Sequence, residues 1–108
     1  MNVDISAEKV DFSKHKIIDI RTDEEHNVAY LENSILYPMD FNNLTQKDID
    51  IFLDKFKNDE NLVIMCRSGA RSAMLCDIIN KDKIIIKNLY GGIIAMAKLH
   101  PNKIIYKN

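Results

Sequence analysis

Short apolar runs alternate with amphipathic stretches along this chain, and the two periodicities divide it into elements. Residues 16–20, 35–37, 62–65 and 84–86 are mostly apolar and β-branched, as in strands buried in a sheet. Residues 45–56 have a helical period instead, with Ile49, Phe52, Leu53 and Phe56 on one face. Asp50, Asp54, Lys55 and Lys57 lie mostly around the other side, which reads as a solvated face. Thr45 and Asp48 stand where a variant capping box would start this helix. Residues 70–80 also have helical character, with Ala73, Cys76 and Asn80 about a turn apart. Strands separated by helices predict an α/β fold with a central parallel sheet flanked by helices. The ending, 101–108, holds a short apolar stretch that either adds an edge strand or packs as a tail.

Composition narrows the function classes. A chain of 108 residues can bury one core without disulfide or metal support, and nothing interrupts the pattern, so one domain over 1–108 is expected. The net charge of −1 and the lack of a basic stripe argue against a nucleic-acid partner. Acids at Asp4 and Glu8 stand where a secretory leader would need a positive region, and no stretch is apolar enough to span a membrane. Cys66 and Cys76 form no Cys-x-x-Cys pair, which suggests free thiols in a reducing compartment, with the cytoplasm as the expected location. His15, His26 and His100 have no ligand spacing to each other or to a cysteine, so no metal site is expected.

The scarcest chemistry is concentrated in seven residues: Cys66, Arg67, Ser68, Gly69, Ala70, Arg71 and Ser72. Two of the chain's three arginines and one of its three glycines are here. A cysteine that ends a strand, in a loop that opens a helix, meets unpaired N–H groups and the positive end of the helix dipole. That setting favours the thiolate, the reactive form of cysteine. Gly69 lets the backbone turn tightly so that successive N–H groups point inward. The planar guanidinium groups of Arg67 and Arg71 suit an anion, and at least one is expected to bind substrate or order the loop. Ser68 and Ser72 either cap the following helix or donate to the sulfur or its leaving group. Cys76, on the apolar side of the helix, is expected to pack in the core, with a resolving thiol as the alternative.

These features resemble the rhodanese family of sulfurtransferases. Cys66 to Arg71 is similar to that family's six-residue active-site loop, and residues 16–21 resemble its first core strand, ending in the triplet Asp19, Ile20, Arg21 before the acidic helix start at residues 22–25. Residues 84–94 resemble the last strand leading through a Gly-Gly turn, here Gly91 and Gly92, into the final helix. Two departures stand out. Residues 29–34 replace the usual Gly-His-Ile-x-Gly-Ala element, which predicts a modified connection into the strand at 35. The tryptophan common after the Gly-Gly turn is absent, with Met96 or Ala97 near its place.

The resemblance implies a rhodanese-like fold and a sulfurtransferase without a cofactor. In that scheme Cys66 takes the outer sulfur of a small anionic donor, thiosulfate or a persulfide, and passes it to cyanide in an assay or to a thiol or protein cysteine in cells. Residues 67–72 would bind the donor, and Asp19 and Arg21 would hold the loop and strand ends in place. Two alternatives remain. One is a persulfide carrier or interaction domain without fast turnover. The other is a phosphatase or arsenate reductase on the same fold, whose loop is typically Cys-x5-Arg where this chain has Cys-x4-Arg.

Overall fold

Five parallel strands form the central sheet of this computed structural model, which describes residues 3–80 and 85–107. In chain order the elements are β1 (Val3–Ile5), β2 (Lys16–Asp19), α1 (Asp23–Val28), β3 (Ala29–Leu31), β4 (Ile35–Leu36), α2 (Gln46–Lys55), β5 (Leu62–Met65), α3 (Ala70–Ile79), β6 (Lys87–Leu89), α4 (Gly92–Leu99) and β7 (Ile104–Tyr106). The sheet order is β1-β6-β5-β2-β4, and β3 and β7 form a separate antiparallel pair. The parallel sheet and flanking helices are those the alternating pattern predicts.

β5 is buried on both faces, so all four of its residues are apolar. Leu62 and Ile64 join Ile18, Phe52, Phe56, Leu75 and Cys76 in a core beneath α2 and α3. Val63 and Met65 point to the opposite core, with Ile17, Leu31, Leu89, Met96 and Ile104. Thr45 caps α2 with Asp48, and the Phe52 and Phe56 rings pack at a tilt, 5.0 Å between centroids, on its inner side.

The last core strand differs from the expectation. Ile84 lies outside the described residues, Ile85 and Ile86 are not in a strand, and β6 begins at Lys87. Asn80 explains the shift. Its amide nitrogen donates to the Ile86 carbonyl at 2.9 Å and its amide oxygen accepts from the Ile86 N–H at 3.0 Å, so a side chain occupies the groups a ladder would use. Ile85 is 63% exposed, so the apolar run marks the approach to the strand and not the strand itself.

β1 has no counterpart in the sequence reading; it pairs with β6 at the sheet edge. The altered connection at 29–34 becomes β3 followed by a turn in which Asn33 adopts φ 64°, a conformation that asparagine tolerates. Of the two fates open to the tail, the strand is realised, because β7 pairs with β3 and buries Ile104. Met96 is fully buried on α4.

Candidate active site

β5 delivers Cys66 to the top of the sheet, and Gly69 starts α3 three residues later with φ +99°. A side chain at Gly69 would press on the Gly91 nitrogen at 3.1 Å, and its positive φ is one that glycine adopts without steric cost. The tight turn folds backbone and side-chain donors over the sulfur. Gly69 N–H donates to Cys66 Sγ at 3.1 Å, and the Ser72 hydroxyl lies 3.3 Å from it.

From behind, the Gly91–Gly92 turn holds the loop. Ile93 N–H donates to the Cys66 carbonyl at 2.9 Å and Ile94 N–H to the Arg67 carbonyl at 3.2 Å. The first turn of α4 thus spends its unpaired N–H groups on the loop backbone. Gly92, at φ +60°, approaches so closely that a Cβ there would overlap the Cys66 and Arg67 carbonyls.

Burial pushes the Cys66 thiol up, yet hydrogen bonds from the Ser72 hydroxyl and from the N–H groups of Ser72, Gly69 and Arg71 outweigh it and leave the pKa below its usual value. The residue is only 1% exposed. Cys76 is the contrast, a free thiol that burial, reinforced by the negative charge of Asp4, pushes up to about 12.

The two loop arginines are placed differently. Arg67 is exposed. Arg71 reaches away from the sulfur to Glu25 of α1, which accepts from both guanidinium arms at 2.8 Å. That hydrogen-bonded pair holds the Glu25 carboxyl down to about 2. A cleft of about 420 Å³ runs beside Arg71 and is bordered by Asp23, Glu24 and Asp40; Cys66 does not line it.

Asp19 and Arg21 form a second, buried pair, with Arg21 Nη2 at 2.8 Å from Asp19 Oδ2. Arg21 also donates to the Ala29 carbonyl at 2.8 Å and the Glu25 carbonyl at 3.5 Å. Its link to the loop is therefore indirect, through Glu25 to Arg71. Ser68 and Ala70 are exposed, whereas Ser72 is buried against the sulfur.

Two contributors were missed in the sequence. Glu25 was only one acid of a helix start; its spacing from Thr22 marks it as the capping-box acid of α1, but nothing local points from it to Arg71. Asn88, which meets Ser72, did carry a signal: it is a polar residue in the last strand-like segment.

Comparison with known proteins bears on the family and the fold. Over 83 residues the chain is 34% identical to a Sulfurtransferase of Allochromatium vinosum, covering 76% of this chain and 71% of that one. It is 30% identical over 84 residues to Protein HIGH ARSENIC CONTENT 1, mitochondrial, of Arabidopsis thaliana, covering 72% of this chain and 50% of the relative, so it spans about half that protein's length. The solution structure of protein hp1203 from Helicobacter pylori shares the fold, with a TM-score of 0.72 and 23% identity over 95% of this chain and 88% of that one. Residues 3–98 match the Rhodanese-like domain, and sequence and fold together make the chain a member of that family.

Proposed function

We propose that the protein transfers a sulfane sulfur through a persulfide on Cys66. The observation that carries this reading is the sulfur itself, lodged at the N-terminus of α3 with the Gly69 N–H and Ser72 hydroxyl directed at it and its pKa lowered. Attack by the thiolate on the outer sulfur of thiosulfate forms the Cys66 S–S bond, breaks the donor S–S bond and releases sulfite with the bonding pair. A thiol or cyanide then removes the outer sulfur and restores the thiolate, so no external oxidant or general base is needed. The N–H groups of residues 69–72 stabilise the charged sulfur, and the exposed Arg67 meets the anionic end of the donor. Arg71 acts through Glu25 to fix the helix that carries these groups.

The near-complete burial of Cys66 favours a donor that ends in a single sulfur atom. The relative named for high arsenic content raises a second reading, chemistry on an arsenic oxyanion. Against it stands the Cys-x4-Arg loop, whose arginine is engaged by Glu25.

Intact mass after incubation of the reduced protein with thiosulfate tests the proposal. A gain of one sulfur atom on the Cys66 peptide, discharged by cyanide or a thiol, is the expected result. No gain from thiosulfate or from a small persulfide, in protein that still alkylates at Cys66, would overturn it.

A further inference from the structure

We propose that Asn88, oriented by Asp4, is a positioning residue for Cys66: its amide oxygen holds the Ser72 hydroxyl while the sulfur is a thiol and yields it when the sulfur is a thiolate. The inference deepens the sulfur-transfer reading, because it assigns control of the nucleophile to a residue outside the loop.

Asn88 lies in register with Ile64 of β5 and Asp4 of β1, and strand alternation sends its side chain to the α3 face of the sheet. It is 3% exposed there, so both ends of the amide need partners. Asn88 Nδ2 donates to Asp4 Oδ1 at 2.9 Å. A carboxylate only accepts, so the amide nitrogen belongs on the Asp4 side and the oxygen on the Ser72 side.

Ser72 Oγ then faces three acceptors: Asn88 Oδ1 in close contact, the Gly69 carbonyl at 3.2 Å and Cys66 Sγ at 3.3 Å. A hydroxyl has one proton to give. With a thiol, the S–H donates to Ser72 Oγ and the hydroxyl donates to Asn88, so every group is satisfied. With a thiolate, the sulfur can only accept, and the hydroxyl rotates about its Cβ–Oγ bond toward it. No covalent bond in Ser72 changes; the thiol proton leaves to solvent, and Asn88 Oδ1 loses its donor. In the persulfide the charge sits on the outer sulfur, and the hydroxyl returns to Asn88. Asn88 therefore competes with the thiolate for one proton.

Other charged groups at this end of the sheet are Arg67 of the loop, Arg71 of α3 with Glu25 of α1, and the Asp19–Arg21 pair after β2. Among the described residues none of them hydrogen-bonds to Ser72 or Asn88, so substitution at position 88 leaves their contacts in place.

The test is the pH dependence of Cys66 alkylation by iodoacetamide, followed on the Cys66 peptide. Ser72→Ala should move the profile up by about one pH unit, the scale of one hydrogen bond to a charged group. Asn88→Ala should move it down, and adding Asn88→Ala to Ser72→Ala should move it no further. Asp4→Ala, at an exposed position, should shift it in the same direction as Asn88→Ala by freeing the amide to turn, and it decides the matter if Asn88→Ala does not fold. An unchanged or raised profile in the folded variant, or a shift that persists without Ser72, would overturn the proposal. Alkylation requires only the Cys66 thiolate and no sulfur donor, so sulfur uptake from thiosulfate on the same variants reports separately on the transfer reading.

Discussion

At the scale of single residues, the two cysteines show how position decides reactivity. Both are buried thiols, but one has donors aimed at it, whereas the other is held neutral by burial and the nearby charge of Asp4. Iodoacetamide at about pH 8 should therefore label Cys66 and spare Cys76 in the native protein, with both labelled after unfolding. Equal native labelling, read by peptide mapping, would contradict the environments described. Cys66→Ser should abolish sulfur uptake with an unchanged circular dichroism spectrum, while Cys76→Ser keeps most of the activity. For the arginines, Arg67→Ala should raise the KM for thiosulfate several-fold with a smaller change in kcat, as expected for lost ground-state binding. An unchanged KM would remove Arg67 from the donor site. The loop and its nucleophile type were legible because cysteine, arginine and glycine are scarce elsewhere. The partners of Arg71 and Ser72 were not, since Glu25 lies 46 positions from Arg71 and Asn88 lies 16 from Ser72.

At the scale of elements, two contacts hold the loop. Glu25 joins α1 to α3, and its sign with pH follows from its lowered pKa. A carboxyl that titrates at about 2 when folded, against an ordinary 4.5, contributes stability that is complete above about 4.5 and lost as pH falls toward 2. Glu25→Gln should cost about 1 kcal/mol at neutral pH, a modest figure because the pair is partly solvated. Urea unfolding at a series of pH values should show this difference shrinking with acid; a constant difference would assign the loss to packing instead. The second contact is the α4 turn. Gly92→Ala combines a positive φ with overlap on two carbonyls, so it should cost about 3 kcal/mol and slow Cys66 alkylation. A variant of wild-type stability and thiol reactivity would show that this contact does not set the loop.

At the scale of the whole molecule, one sheet separates two cores, and only one of them carries the nucleophile. β7 belongs to the other. Removing residues 104–108 uncovers Leu31 and Met96 and strips β3 of its partner, a loss of about 2 kcal/mol for the Ile104 side chain alone. Thermal unfolding should move to lower temperature while sulfur uptake per folded molecule stays near the parent value. Lost uptake in a folded truncation would mean that the two faces communicate with the site.

Periodicity and scarce residue types were enough to determine the α/β class, the helix at 45–56, the strand–loop–helix around Cys66 and the resemblance in which they recur. These are local properties: apolar spacing, capping residues and turn glycines act within a few positions of themselves. The tertiary structure decided which partner each polar group found. It alone paired Arg71 with Glu25, turned Asn80 onto the Ile86 backbone, moved the last core strand to Lys87–Leu89 and brought Asp4, Asn88 and Ser72 into line behind Cys66. The reason is physical: a buried hydrogen-bonding group must be satisfied by whatever the packing brings beside it, and parallel strands bring together residues from distant parts of the chain.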